Sequence, residues 1–400
     1  MLAVASIPAL GQAQVSAGNN GITIRTNDDN FTLHIGLDIQ IDNRSFAGDS
    51  PQHAPPKDEI LIRRARPTIS GTAYQYVDFY IRPDFGQGTT ILYDAYVELK
   101  YFPRAKLRAG KFKPPVGMER LQSDDDTNFI ERGFPTLLAP SRDIGFQISG
   151  DLVKRRVAFA AGIFNGVPDN GLSDVSGSGR REFDGRIFLT PFLPNSKSRL
   201  SGLGFGIGAS TGGVDGIPLP SYKTFGQASF FSFASGVSPA GHRTRLAPQA
   251  YYYLGPVGLL AEYTRAEEGF QKEALRRTIA LRAWQIQAAC LLTGEKKSFT
   301  TLTPRHDFDP RKHTWGAFEL AVRTGEFSVE REFFDAGFAS LATTPRHARE
   351  WAGGMNWYLN RSLRISADYA HTSFTGGAAA ADGGNRPVEH ALLQRFQINF

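Results

Sequence analysis

The sequence predicts an all-β chain that closes into a transmembrane, antiparallel, up-and-down β-barrel of about sixteen strands, with one long loop folded into the lumen. Three observations lead there. No apolar run in the 400 residues reaches the ~18 residues that a membrane-spanning helix needs. Apolar and polar residues instead alternate with a period of two along most of the chain, the signature of strands with two different faces. Aromatic residues, 12% of the total, gather at strand ends (Tyr101-Phe102, Trp315, Trp351, Trp357-Tyr358), where interfacial girdles would form. A soluble sandwich or propeller shares the alternation, but it has no use for the girdles or for a last strand that ends on Phe400.

The elements follow in order. Met1 to Leu10 is apolar, and Gly11-Gln12-Ala13 offers a small-x-small cleavage site, so residues 1–13 are expected to be the remnant of an export signal and 14–400 a single barrel domain. Ser16 to Asn30 is polar. Phe31 to Ile39 alternates, Asp49 to Asp58 is a proline-containing loop, and an arginine-rich strand begins at Glu59. Gly71-Thr72-Ala73-Tyr74 reads as a tight turn. Val77, Phe79 and Ile81 then oppose Asp78, Tyr80 and Arg82. Ile91, Tyr93, Ala95, Val97 and Leu99 oppose Asp94, Tyr96, Glu98 and Lys100. After the Pro103-Arg104 turn the pattern breaks at Lys113-Pro114-Pro115, and a long non-repetitive segment carries Arg120, Asp124-Asp125-Asp126 and Glu131-Arg132.

Alternation resumes at Asp143 and recurs around Phe159, Ile187 and Phe205. A long loop is expected from about Thr211 to Arg245. Further strands end at Tyr253, start at Leu259, run from Ala274 to Leu292, and lie at Trp315 to Arg323, Trp351 to Trp357, Leu363 to Tyr369 and Leu392 to Phe400. About seventeen runs can be counted. Because single-chain barrels close on an even number, the weakest, Phe327 to Phe333, is expected to be loop or an extension of its neighbour. Short turns should alternate with long loops from rim to rim.

Composition excludes several functions. The net charge is +6 and the pI about 9.3, but lysine and arginine are spread along the chain and form no patch or tail for nucleic acid. Cys290 is the single cysteine, so neither an internal disulfide nor a cysteine-rich metal site can form. Asp124-Asp125-Asp126 lacks the loop pattern of a calcium site. His306 and His313 lack the helical spacing of a zinc site, and the glycines from Gly202 to Gly208 sit in a strand pattern where no phosphate-cradling loop would form. Ser173 and Ser298 have no His/Asp support. No cofactor or metal is therefore expected, and an outer-membrane barrel enzyme, such as a lipid hydrolase, has no nucleophile motif behind it.

The arginine-rich strand carries the chemistry. An arginine facing lipid at mid-bilayer costs roughly 2–4 kcal/mol. Arg64 and Arg66 share a parity and should both face the lumen. Arg63 has the opposite parity, so it needs a bulge or a rim position, and Pro67 nearby suits distorted pairing. Guanidinium groups stay charged and donate two parallel hydrogen bonds to phosphate oxygens. In a low-dielectric constriction that attraction strengthens. The alternative is that these are ordinary lumen charges paired with Asp78, Asp94 or Glu98.

Here the sequence resembles the phosphate-selective porin family of bacterial outer membranes, the O and P porins. The likeness is carried by Arg63-Arg64-Ala65, Gly71-Thr72-Ala73-Tyr74, Gly110-Lys111-Phe112, Gly117-Met118-Glu119-Arg120, Glu131-Arg132, Leu292-Thr293-Gly294-Glu295 and Asn356-Trp357-Tyr358, in the family's order over nearly the whole chain. The resemblance implies a trimer of sixteen-stranded barrels in the outer membrane, in contact with its lipid. The third extracellular loop would fold inward as an anion-binding constriction for inorganic phosphate, polyphosphate or other small anions. It places the family's paired arginines on Arg63 and Arg64, its constriction lysine on Arg120 and its aspartate on Asp94. Two family tyrosines become Arg66 and Lys113, a lysine becomes Asp78 and a serine becomes Asp124, with Arg132 completing the expected constriction set. The changed donors leave a general porin without phosphate preference as the alternative.

Overall fold

In a computed structural model, described for residues 13–18, 21–47, 57–172, 179–193, 198–300, 302–378 and 384–400, eighteen strands form one antiparallel sheet. They are β1 (Ala13–Gly18), β2 (Gly21–Thr26), β3 (Phe31–Ala47), β4 (Glu59–Ala73), β5 (Val77–Asp84), β6 (Ile91–Phe102), β7 (Ala105–Phe112), β8 (Asp143–Leu152), β9 (Val157–Phe164) and β10 (Glu182–Leu189), then β11 (Leu203–Gly213), β12 (Val237–Leu254), β13 (Val257–Lys272), β14 (Leu275–Leu291), β15 (Ala317–Val329), β16 (Pro345–Tyr358), β17 (Leu363–Gly376) and β18 (Glu389–Asn399). Each strand from β3 to β18 pairs with the next. The sheet closes where β18 meets β3, from His390↔Ala47 to Asn399↔Asp38, so the barrel has sixteen strands. Phe400 continues the seam by exchanging backbone hydrogen bonds with Leu37, at 2.8 and 3.0 Å.

The two-residue period sorts the side chains. Val97, Leu99, Leu107, Phe146, Ile148, Phe183 and Ile187 are exposed on the outer face, the apolar surface that hydrocarbon requires. Asp38, Gln40, Asp42, Arg64, Arg66, Glu319, Arg323, Asp368 and Arg395 point inward and are buried.

The structure departs from the sequence-based expectations in five places. The polar stretch after Ser16 contains a hairpin, β1 with β2, and β2 lies on β3 from Ile22↔Ile35 to Arg25↔Thr32. Gly71 to Ala73 remain in β4, and the turn falls on Tyr74 and Gln75, whose φ angles are 51° and 64°. The expected loop from Thr211 to Arg245 shrinks to residues 214–236, because β11 and β12 are longer than their apolar alternation indicates. Rim lengths are not uniform: β13 and β14 are joined by two residues, while residues 292–316 form a long segment on the short-turn rim. Tyr93 faces inward, for the reason given below. The run from Phe327 does divide as expected: Phe327 to Val329 end β15, and Glu332–Asp335 form a short helix. Of the proposed export signal, residues 1–13, the first twelve lie outside the described residues and Ala13 begins β1; most of the loop before Glu59 also lies outside them.

The upper lumen is filled from within. Residues 113–142 and 214–236 turn inward, and Phe134, Leu137, Leu138, Tyr222, Phe230 and Phe231 pack with Phe270, Leu281, Phe327 and Phe333 in one buried cluster. Phe230 and Phe327 meet edge to face at 5.4 Å. Burying such rings is worth about 1.5–3 kcal/mol each, which fixes both loops to the inner wall of β13 to β16.

Candidate functional site: an arginine-lined constriction

The 113–142 loop begins where Pro114 and Pro115 deny β7 further ladder donors. It crosses the lumen, and wall side chains satisfy its backbone. Glu262 Oε1 accepts from Met118 N at 2.7 Å, capping the short helix α1 (Met118–Leu121). Glu119 accepts from Gln285 at 2.8 Å, Gln287 at 2.7 Å and Gly133 N at 2.9 Å. Asp368 accepts from Ile130 N at 2.6 Å. Arg323, Arg364 and Arg395 donate to the carbonyls of Glu131, Thr127 and Ile130, at 2.9, 3.0 and 2.9 Å. Many lumen arginines are thus clamps for the loop. Their inward parity is readable in the sequence, but their targets depend on a loop path that has no period.

Two β-bulges shape the wall facing the loop. Between β3 and β4, Gln40 pairs with Arg64 and Ile41 with Ile62, which leaves Arg63 as the extra residue. Between β5 and β6, Arg82 pairs with Asp94 and Pro83 with Leu92, which leaves Tyr93 extra. A bulge re-aims a side chain whose parity would point it outward. Pro83 has no N–H for the ladder, and Asp84 fills the gap by accepting from Ala65 N at 3.2 Å, Gly86 N at 2.9 Å and Arg66 Nε at 2.7 Å. Gly86 lies so close that a Cβ there would sit 2.6 Å from the Arg63 carbonyl oxygen. Pro67, expected to distort the pairing, keeps its register with Leu37; β4 has no β5 partner above Ile69.

These elements enclose a polar cavity of about 360 Å³. Arg63, Arg64, Arg66, Arg120, Arg132 and Lys223 line it, against Asp84 and Glu131. Arg63 grips Glu131 with two bonds, at 2.7 and 3.2 Å. Arg66 and Arg132 both bind Asp124, and Arg64 Nε lies 3.4 Å from the same carboxylate. Burial pushes the Asp124 carboxyl up, but Arg132, Arg64 and Arg66 hold it well below the usual range. Arg120 differs: it donates to Thr136 O and Asn170 Oδ1, both at 2.5 Å, its Nε is buried without a partner, and it forms no ion pair among the described residues. The Lys223 ammonium likewise has no hydrogen bond or ion pair among the described residues and feels mainly burial and Arg63.

The structure therefore brings together Arg63, Arg64, Arg66, Arg120 and Arg132 from the expected set. Asp94 is held outside the cavity by Arg142, at 3.3 and 3.5 Å. Lys113 donates to Gln122 O at 2.6 Å and so stitches the loop's base. Asp78 faces the lumen, but Lys100 neutralises it at 2.6 Å. Lys223 and Tyr93 were not among the expected residues. Lys223 comes from a loop with no periodic signal, and Tyr93 from a bulge.

The sequence matches the family model for phosphate-selective porin O and P over residues 33–216 and 225–400. The chain belongs to this family. It is therefore an outer-membrane porin, a channel and not an enzyme. Among curated relatives, Porin O of Pseudomonas aeruginosa is 25% identical over 385 residues, covering 87% of this chain and 84% of that one. Solved porin structures share the barrel at low identity. The outer membrane channel DcaP of Acinetobacter baumannii has a TM-score of 0.59 at 9% identity, covering 94% of this chain and 99% of that one. OmpT of Vibrio cholerae, in a form described as a trimer, has a TM-score of 0.53 at 10% identity, over 92% and 100%. OmpF of Salmonella typhi gives 0.54 at 12%, over 93% and 99%. At these identities the likeness shows the fold of this porin and leaves its site to be argued from its own residues.

Proposed function

We propose that this porin lets small anions diffuse passively through the arginine-lined constriction, with inorganic phosphate or polyphosphate as the favoured class, and that it works as a homotrimer. The observation that carries this reading is the charge balance of the cavity, six cationic side chains against Asp84 and Glu131 in its lining and Asp124 bound behind three of the arginines. Arg120 and Lys223 are the cations free to meet an incoming anion. Arg63, Arg64, Arg66 and Arg132 set the potential around it, and Asp94 and Lys113 hold the surrounding wall and loop. A guanidinium fork matches two oxygens of phosphate, whereas chloride offers one centre. One observation favours a general anion porin instead: Asp124 already occupies the forks of Arg66 and Arg132. Phosphate titrated against chloride current in planar bilayers separates the two, since a phosphate site gives saturable block and a general porin gives a linear response. Replacing Arg120 and Lys223 together with Glu should move the reversal potential in a KCl gradient toward cation selectivity. An unmoved potential would place the selective constriction elsewhere.

A further inference from the structure

The cation cavity does not stand alone on the exterior side. A second cavity of about 510 Å³ lies between the segment Gly166 to Leu172 and the segment Ile217 to Ser221. Its wall is largely apolar, with Val167, Pro168, Ile217, Pro218, Leu219 and Pro220, and the carboxylate of Asp169, also in the lining, is taken up by Arg245 at 3.0 Å. The two cavities share Asn170, Leu172 and Lys223. Lys223 thus stands at the boundary between an apolar chamber and an arginine-lined one, and Asn170 beside it is already held by Arg120 at 2.5 Å. Cavities of about 300–1,000 Å³ with apolar walls and a few convergent polar groups are typical of small-molecule sites. A porin that handles only inorganic ions has no use for such a chamber at the mouth of its constriction, because an apolar wall offers a bare anion nothing in exchange for its water.

We infer that the paired cavities form an entry site for small organic anions, phosphate monoesters with an apolar body. The phosphate head would lie toward Lys223 and Arg120, and the body against Ile217, Pro218 and Leu219. This rests on the anion-channel reading above and adds the solute class. The proline-rich wall suits the role, because Pro218 and Pro220 keep the lining stiff and lose little entropy when a ligand settles on it.

The test uses the intact protein in planar bilayers and compares block of chloride current by inorganic phosphate, glycerol phosphate and phenyl phosphate. The two esters carry the same head and differ in the body. Phenyl phosphate should block at concentrations about tenfold below glycerol phosphate, the order expected for burying one ring face. Leu219→Ser should shrink that ratio to about two- or threefold, with the ratio in each protein serving as its own control for folding. Equal block by the two esters in the unaltered protein, with inorganic phosphate still blocking, would overturn the organic-anion site while the anion channel stands. Absence of block by all three, in a channel without anion selectivity, would overturn both.

Discussion

The guanidinium of Arg66 lies 3.7 Å from the ring centroid of Tyr93, and that of Arg142 lies 3.8 Å from it. Tyr93 takes this place only because it is the unpaired residue of a bulge; in regular pairing it would face lipid. One aromatic ring thus spaces two arginines that would otherwise repel each other, one beside Asp124 and the other beside Asp94.

Tyr93→Leu keeps the side chain apolar and removes the π face. Two buried cation–π contacts at roughly 0.5–2 kcal/mol each are then lost. The heat-induced gel-mobility transition should fall by several degrees, and the anion-to-cation permeability ratio should drop as Arg66 and Arg142 lose their fixed positions. A variant with unaltered transition and permeability ratio would show that the ring does not position them.

Asp124 holds the guanidinium groups of Arg66 and Arg132, which on the proposed reading would otherwise meet a permeating oxyanion. Asp124→Asn removes the tethered competitor and leaves Arg64 and Arg132 with unmet charge, while Arg66 keeps Asp84 at 2.7 Å. Phosphate should then block chloride current at concentrations about tenfold lower, since one nearby charge in a partly screened site is worth at least 1.4 kcal/mol. Tighter block should come with a smaller chloride current, because a site that holds anions longer also releases them more slowly. Phosphate titrations of the two proteins side by side read both effects.

The same carboxylate sets a pH dependence. Its pKa is held well below the ordinary 3.8 by Arg132, Arg64 and Arg66 against burial. A depressed carboxyl stays ionised as pH falls through its ordinary range and loses its charge only below that. Protonation would mimic the asparagine variant. The difference in phosphate block between wild type and Asp124→Asn should therefore stay constant from about pH 5 down to about pH 3, where phosphate is a monoanion throughout. If the two proteins converge between about pH 5 and 3, Asp124 titrates normally and its arginine contacts are not formed in the open channel.

The barrel was legible because a two-residue period survives in nearly every strand, and the closing count because barrels need even numbers. Arg63 could be singled out because a lipid-facing arginine is costly. Tyr93 could not, because tyrosine is tolerated on either face and a bulge leaves no mark in the pattern. The site was legible only in part for a different reason. Charge type shows in the sequence, but pairing does not: Arg64 and Arg120 look alike there, while one faces Asp124 and the other has no ion pair among the described residues. Lys223 escaped notice because it arrives on the 214–236 loop, which enters the lumen through aromatic packing and carries no spacing that says so.

Glu119 tests what the loop clamps do for the channel. Its carboxylate is 1% exposed and accepts from Gln285, Gln287 and the Gly133 amide. Arg323 lies 3.9 Å away and adds little directional bonding. Glu119→Ala removes the acceptor of three buried donors; the Gln287 amide keeps Gln285 Oε1 at 3.1 Å, and each donor left unmet and out of reach of water costs about 1–3 kcal/mol. The aromatic cluster around Phe134 remains, so the loop's far end should stay docked while the stretch from Met118 to Arg132 loosens. Arg120 and Arg132 flank that stretch, and both would lose their fixed aim into the cavity. Single-channel conductance should therefore rise several-fold while anion selectivity falls. Glu119→Gln, which can still accept from one glutamine, should show a smaller rise. A drop in conductance in both variants would mean that the loop holds the pore open and does not narrow it.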